Sequence, residues 1–107
     1  MRDDNGMLLV ARKPTHPGEM LREELMPDFG ISVAELAQRL HVSRQSVNEL
    51  VRERRAVSPS MAIRLGRLFG TTPQYWMNLQ RNVDIWDSMA AEQELLDSIE
   101  PLNAALG

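Results

Sequence analysis

Four helix-start signals follow one another at short intervals between residues 32 and 73. Ser32 and Glu35 have the spacing of a capping box, in which a serine hydroxyl and a glutamate three residues later satisfy the first free amides of a helix. Ser43 is a further N-cap, and Ser58-Pro59 and Thr72-Pro73 each place a capping hydroxyl before a proline at the first helical position. The spacing leaves room only for short helices joined by brief turns, which predicts an all-α chain.

Apolar residues recur with helical spacing after each of these signals. The pattern predicts a second helix from Val33 to Leu40, a third after Ser43, a fourth that ends at Gly70 and a fifth that continues to about Ile99. A preceding first helix begins at Pro17-Gly18 and is predicted to be closed by Pro27 and Gly30. No segment alternates with period two over a strand's length. The expected architecture is five helices, of which the C-terminal one is longer.

The length of 107 residues corresponds to one domain. We expect residues 1–15 to form a flexible N-terminal arm, residues 16–99 the helical domain and residues 100–107 a tail. The chain has no cysteine and only two histidines, so we expect neither a metal site nor a cofactor. No apolar run approaches the ~20 residues that a membrane helix needs, which predicts a cytoplasmic protein.

Positive charge is concentrated in the middle of the chain. The net charge is −3, but residues 32–67 carry seven arginines against three glutamates, whereas the remainder carries five basic and twelve acidic residues. A local excess of positive charge on an otherwise acidic protein suits an anionic partner at that segment.

Two of the predicted helices, within residues 33–52, have the spacing of a helix-turn-helix. Ala37 is small where the two helices approach each other, and Val47 is a buried β-branched residue ten positions later. The turn begins at His41, a position often held by glycine because the backbone there needs a positive φ. Histidine tolerates that conformation better than most residues.

In this type of unit the second helix enters the major groove of DNA. Its outward residue types are those that read base edges, and the predicted base-reading set is Arg44, Gln45, Ser46, Asn48 and Glu49. Predicted phosphate contacts, which position the protein without reading sequence, are Arg39, Ser43, Arg54 and Arg55. The competing interpretation is an ordinary solvated face, but such a face is typically rich in lysine, and this helix has none.

Longer motifs around this unit resemble HigA-type antitoxins, which belong to the phage-repressor-like (Xre) helix-turn-helix proteins. The resemblance rests on three motifs and covers residues 16–87. They are His16-Pro17-Gly18-Glu19 at the start of the first helix, Arg54-Arg55-Ala56-Val57-Ser58-Pro59, and Trp76-Met77-Asn78-Leu79-Gln80. The sequence departs from the family pattern at His41 and at Arg52-Glu53, where relatives often carry Asn-Gly. The resemblance implies a lambda-repressor-like fold.

The resemblance also implies a homodimer that binds its own promoter and neutralises a HigB-like toxin that cleaves mRNA. The apolar stripe of the fifth helix predicts where the dimer forms: Val83, Trp86 and Ala90 have no evident partner in the monomer. A two-fold dimer requires double-stranded operator DNA with an inverted repeat.

Alternative functions remain open at the level of sequence. A stand-alone phage- or plasmid-derived repressor without a toxin has the same DNA mechanism. An enzyme is disfavoured because no nucleophile, base or metal set clusters along the chain. A pure protein-interaction module has no need of Arg44, Gln45 and Asn48. His16 is interpreted as structural rather than as a ligand or base, and Tyr75 and Trp76 as core or interface residues rather than as a base-stacking surface.

Overall fold

The computed structural model of the chain describes residues 12–102. Within that range the chain forms six helices and no strand. Helix α1 runs from Pro17 to Phe29 in three parts, and the others are α2 (Val33–Leu40), α3 (Arg44–Val51), α4 (Pro59–Phe69), α5 (Pro73–Ala91) and α6 (Gln93–Ser98). The all-α prediction is confirmed. Most of the predicted arm, residues 1–11, and the end of the predicted tail, residues 103–107, lie outside the described residues.

The predicted capping residues begin the helices. Ser32, Ser43, Ser58 and Thr72 each accept a hydrogen bond through the side chain from a backbone amide three residues later. Each hydroxyl satisfies an amide that has no partner inside its helix, which fixes where the helix starts. Local sequence therefore determines four of the six helix starts.

The turn between α2 and α3 contains the expected left-handed residue. His41 has φ 59° and ψ 44°, and its amide donates to Gln38. Glu53, two residues after the end of α3, also has a positive φ of 62°. Within residues 12–102, two non-glycine residues thus lie in the left-handed region, one on each side of α3.

The hydrophobic core lies where helices α1 to α5 meet. Its largest fully buried side chain is Trp76 of α5, packed with leucines from the other helices: Leu21, Leu36, Leu50 and Leu65. The indole N–H of Trp76 donates to the hydroxyl of Thr71 at 2.7 Å, so the buried ring leaves no polar atom unpaired. The predicted interpretation of Trp76 as a core residue is therefore confirmed.

Helix α1 does not end at Pro27. It consists of an α-helical turn (Pro17–Met20), a π-helical segment (Leu21–Leu25) and a last α-helical turn (Met26–Phe29) that contains Pro27. Proline disrupts a regular α-helix by removing a donor and by meeting the carbonyl four residues earlier. The wider π-helical turn directly before Pro27 changes the position of that carbonyl relative to the proline. The helix ends only at Gly30, which has φ 62°.

The predicted fifth helix is two helices in the structure. Glu92, with φ −113° and ψ 21°, leaves the helical conformation and separates α5 from α6. No glycine or proline marks this position, so propensity gave no signal. The change of direction brings Leu96 of α6 beside Ile85 and Met89 of α5. In the part of the chain that the structure describes, none of the helices is both long and apolar enough to cross a membrane.

Candidate DNA interface

Helix α3 has one buried face and one polar face. Val47, Leu50 and Val51 are buried in the core, whereas the side chains of Arg44, Gln45 and Asn48 are exposed. The buried face fixes the rotation of the helix about its axis, so the exposed residues at positions 44, 45 and 48 share one side. A short helix that presents arginine and amide side chains in this way has the shape and the donor set to enter a major groove.

Two of the predicted contact residues also stabilise the start of α3. Ser43 Oγ accepts from the Ser46 amide at 3.0 Å and donates to Ser46 Oγ at 2.9 Å. Both hydroxyls thus take part in the N-cap. Ser43 is exposed and Ser46 is half-buried, so Ser43 is the more accessible of the two.

Glu49 joins two other predicted contact residues. One of its carboxylate oxygens accepts from Arg55 at 2.7 Å and 3.0 Å, and the other accepts from Gln45 Nε2 at 3.1 Å. The hydrogen bond from Arg55, followed by that from Gln45, lowers the pKa of Glu49 below its ordinary value. Glu49 therefore stays ionised and holds a predicted base-reading residue and a predicted phosphate contact together at the surface.

The remaining arginines of the interface differ in whether they are paired. Arg39 donates to Glu35 at 2.9 Å, one turn earlier on α2. Among residues 12–102, Arg44, Arg52 and Arg54 form no ion pair. An unpaired arginine keeps all its donors available for a base edge or a phosphate.

Two further arginines stabilise the helix-turn-helix itself. Arg64 of α4 donates to the carbonyls of Leu40 and His41, at 2.6 Å and 3.2 Å. Arg22 of α1 donates to the carbonyl of Val51 and to the carboxylate of Glu53. A cationic side chain at a helix C-terminus satisfies free carbonyls and interacts favourably with the helix dipole. These roles were missed at the level of sequence, because the partners lie 23 or more residues away along the chain.

The His-Pro-Gly-Glu motif fixes α1 against α3. His16 is buried, and its Nδ1 accepts from the Gly18 amide at 2.9 Å. A Cβ on Gly18 would lie 1.8 Å from the carbonyl oxygen of Leu50, so only glycine permits this approach. Burial lowers the pKa of His16 below its ordinary value of 6.5. The structural interpretation of His16 accounts for these contacts.

Gln80, the last residue of the Trp-Met-Asn-Leu-Gln motif, connects α5 with the loop that precedes α4. Its buried side chain accepts from the Val57 amide at 2.9 Å and donates to Asp84 at 2.9 Å. The loop in question carries Arg54 and Arg55. The motif therefore bears on the candidate DNA surface indirectly, by positioning the loop.

The residues predicted to form a dimer interface are not equally available. Val83 is only 3% exposed within the monomer, so the expectation that it lacks a partner there is wrong. It lines the same surface pocket as His16 and Gln80. Trp86 is half-buried and Ala90 is exposed, and they continue the same side of α5 beyond the core.

Comparison with known proteins places this geometry in a family. The helix-turn-helix family model matches residues 21–76. The Pseudomonas aeruginosa antitoxin HigA, solved with the higBA promoter, is 49% identical to this chain, with a TM-score of 0.80 over 84% of this chain and 99% of that one.

Two curated relatives extend the match beyond the helix-turn-helix. Antitoxin HigA-1 of Vibrio cholerae is 36% identical over 100 residues, which is 94% of both chains. The Escherichia coli HTH-type transcriptional regulator YbaQ is 40% identical over 92 residues, covering 83% of this chain and 81% of that protein. The chain therefore belongs to the HigA-type antitoxins of the Xre helix-turn-helix family.

Proposed function

We propose that this protein is a sequence-specific DNA-binding antitoxin that represses its own operon and neutralises a HigB-like, mRNA-cleaving toxin. The observation that carries the DNA-binding part of this proposal is the exposed face of α3. Three polar side chains share this face, and the buried face of the helix fixes their orientation. The 49% identical relative solved with promoter DNA supports it. We infer a cytoplasmic location, because the operator DNA that the protein acts on lies there.

The contacts that we assign follow from the geometry. Arg44, Gln45 and Asn48 read base edges, since arginine pairs bidentately with guanine and amide side chains pair with adenine. Glu49 also lies on this face and accepts from cytosine only after it exchanges its present donors. Ser46 contributes at the start of the helix.

Phosphate contacts surround this face. Arg39 approaches from α2, and Ser43 with the first free amides of α3 from the turn. Arg54 and Arg55 approach from the loop after α3. Arg55 exchanges Glu49 for a phosphate when DNA binds. No part of this function involves a reaction at the protein itself, and we assign it neither an enzymatic activity nor a cofactor.

Substitution of single arginines tests the two kinds of contact. Arg44→Ala should cost about 1–3 kcal/mol on the operator and relax preference at one base pair, because a bidentate base contact is lost. Arg55→Ala, the matched control, should weaken binding similarly on all sequences and flatten the salt dependence. Both variants are titrated on operator and on scrambled DNA over a range of salt concentrations. Equal losses on both DNAs for Arg44→Ala would contradict its base-reading role.

A stand-alone repressor is the second candidate, favoured by the identity with a relative named only as a transcriptional regulator. Both candidates share the DNA mechanism and differ only in a toxin partner. Co-expression with the products of the genes on either side of this gene distinguishes them. Co-purification and relief of growth arrest support the antitoxin, and their absence supports the stand-alone repressor.

A further inference from the structure

Glu49 places a carboxylate on a surface that is rich in positive charge. It is the only acidic residue of α3, whereas Arg44, Arg52 and Arg55 belong to this helix or to the loop that follows it. DNA phosphates repel a negative charge, so a carboxylate at this position reduces affinity for every DNA that does not compensate it with a hydrogen bond. The position of Glu49 therefore points to an effect on the choice between DNA sequences.

Both oxygens of the Glu49 carboxylate accept hydrogen bonds within the protein. Arg55 donates to Oε1 through Nε at 3.0 Å and through Nη2 at 2.7 Å, and Gln45 Nε2 donates to Oε2 at 3.1 Å. The side chain of Glu49 is 35% exposed and that of Arg55 is 47% exposed. The ion pair thus lies at the surface, where a phosphate can take Arg55 without a change in α3.

DNA binding removes the charged partner of Glu49. A phosphate competes for Arg55, because it matches the guanidinium as well as a carboxylate does. Once Arg55 moves to a phosphate, Oε1 loses both of these N–H donors, and a glutamate with an ordinary pKa of 4.5 stays ionised at neutral pH. An ionised acceptor that is enclosed in a groove without a donor is unfavourable. The penalty applies to any DNA that offers no replacement donor.

Base edges in the major groove differ in whether they supply this donor. The amino groups of cytosine and adenine donate, whereas guanine and thymine present acceptors that repel a carboxylate. Adenine also presents its N7 acceptor beside the amino group, so cytosine is the most favourable base opposite Glu49. The carboxylate is therefore compensated at cytosine and left unpaired at guanine and thymine.

We propose that Glu49 is a specificity-determining residue that acts mainly by weakening binding to DNA without an amino donor opposite it. This inference rests on the DNA-binding part of the proposed function and does not depend on a toxin. Arg55 exchanges Glu49 for a phosphate on every sequence, but only the operator returns a donor to the carboxylate. Glu49 thereby lowers the affinity for competing sites more than it raises the affinity for the operator.

A purely structural role is the alternative, in which Glu49 only holds Gln45 and Arg55 in place. Loss of that role would weaken binding to the operator, because its contact residues would be less well ordered, and would not strengthen binding to other DNA. The two roles therefore predict opposite signs for the effect of removing the charge on the affinity for non-operator DNA.

Glu49→Gln keeps the shape of the side chain and removes its charge. Its dissociation constants are measured by fluorescence anisotropy on operator DNA from the promoter of this gene and on scrambled DNA. We expect the constant for scrambled DNA to fall about tenfold, because an amide leaves no unpaired charge in the groove, and the constant for the operator to change little. The ratio of the two constants should therefore fall about tenfold.

Glu35→Gln is the matched control. Glu35 accepts from Arg39 Nε at 2.9 Å, and its side chain is 39% exposed, but it lies on α2 rather than on the helix that reads bases. This variant makes the same charge change beside another predicted phosphate contact. It should strengthen binding to both DNAs by a similar factor that fades as the salt concentration rises, whereas the effect of Glu49→Gln on the ratio should persist.

The outcomes separate this inference from the proposed function. Helical circular dichroism and urea unfolding verify that both variants fold, since Glu35 and Glu49 lie outside the core. If the unaltered protein prefers the operator and Glu49→Gln keeps the same ratio, the inference is wrong and the DNA-binding function stands. An equal fall in the ratio for Glu35→Gln would reveal a general effect of charge and would overturn the inference as well. Failure of the unaltered protein to prefer the operator overturns the DNA-binding function itself.

Discussion

Arginine side chains have three different roles in this protein. Arg64 and Arg22 donate to carbonyls that end α2 and α3, whereas Arg39 and Arg55 pair with glutamates on the candidate DNA surface. Arg44 has no ion pair among the described residues. The positive charge of residues 32–67 indicated an anionic partner, but part of that charge, on Arg64, stabilises the helix-turn-helix. Counting charge alone overstates the number of residues that can contact DNA.

At the residue scale, the burial of His16 predicts how the free energy of unfolding depends on pH. Burial, the largest cause, lowers the pKa of His16 in the folded state, so the unfolded chain binds a proton more readily. The stabilisation from neutral His16 is complete above the unfolded value of 6.5 and is lost as the pH falls through the lower, folded value. Protonation also removes the Nδ1 acceptor of the Gly18 amide. The free energy of unfolding should therefore fall between pH 7 and 5, by at most about 1.4 kcal/mol per pH unit from this group.

His16→Asn provides the control, because the asparagine side chain caps the helix and does not titrate. Urea unfolding at several pH values should show a flatter pH dependence for this variant than for the unaltered protein. Glu53 and Asp84 act to raise the pKa of His16, and Lys13 and Arg22 act to lower it, and all four residues are present in both proteins. Parallel pH profiles for the two proteins would show that His16 does not contribute.

At the scale of elements, α5 has two functions along its length. Its first half buries Trp76 and places Gln80 against the loop after α3. Its second half extends beyond the core, with Trp86 and Ala90 continuing the inward side. A half-exposed tryptophan at the end of a core stripe is the type of residue that anchors interfaces. We therefore propose that Trp86 and Ala90 form the centre of the dimer contact.

Trp86→Glu should shift the protein from dimer to monomer in sedimentation velocity, because a charge would be buried at the interface. The monomer should keep its helical circular dichroism, since Trp86 lies outside the main core cluster. Ser88→Glu, at an exposed position on the opposite side of the helix, should remain dimeric. A well-folded Trp86→Glu protein that is fully dimeric would exclude Trp86 as an anchor.

For the whole molecule, the proposed two-fold dimer predicts the geometry of the DNA site. Each α3 is eight residues long and reads only a few base pairs, which is too little to specify one site in a genome. Two copies related by a two-fold axis read an inverted repeat with half-site centres about one helical turn apart, ~34 Å or 10–10.5 base pairs. We expect such a repeat near the promoter of this gene.

Insertion of about five base pairs between the half-sites rotates one of them to the opposite face of the duplex. Affinity in an electrophoretic mobility assay should then fall to nearly that of a single half-site, since only one α3 can bind. Insertion of about ten base pairs is the control, because it restores the face. Undiminished binding after the shorter insertion would contradict the paired-helix arrangement.

The predictable parts of the fold and the site share one cause. Caps such as Ser43 and the apolar face of α3 act within a few residues, so the sequence predicts the helix, its rotation and its exposed residues. The pairing of Glu49 with both Gln45 and Arg55 was not predicted, since it needs the path of the loop after α3. The positions of Arg22 and Arg64 likewise depend on contacts between distant segments.

Local sequence predicts the all-α class, four helix starts, the left-handed turn at His41 and the exposed polar face of α3. These features arise from hydrogen bonds and periodicity over a few residues, where chain entropy costs little. The tertiary structure was needed to establish that α1 continues past Pro27, that Val83 is buried and that α5 ends at Ala91. Those outcomes depend on which surfaces meet across the molecule, and local propensity carries no information about that.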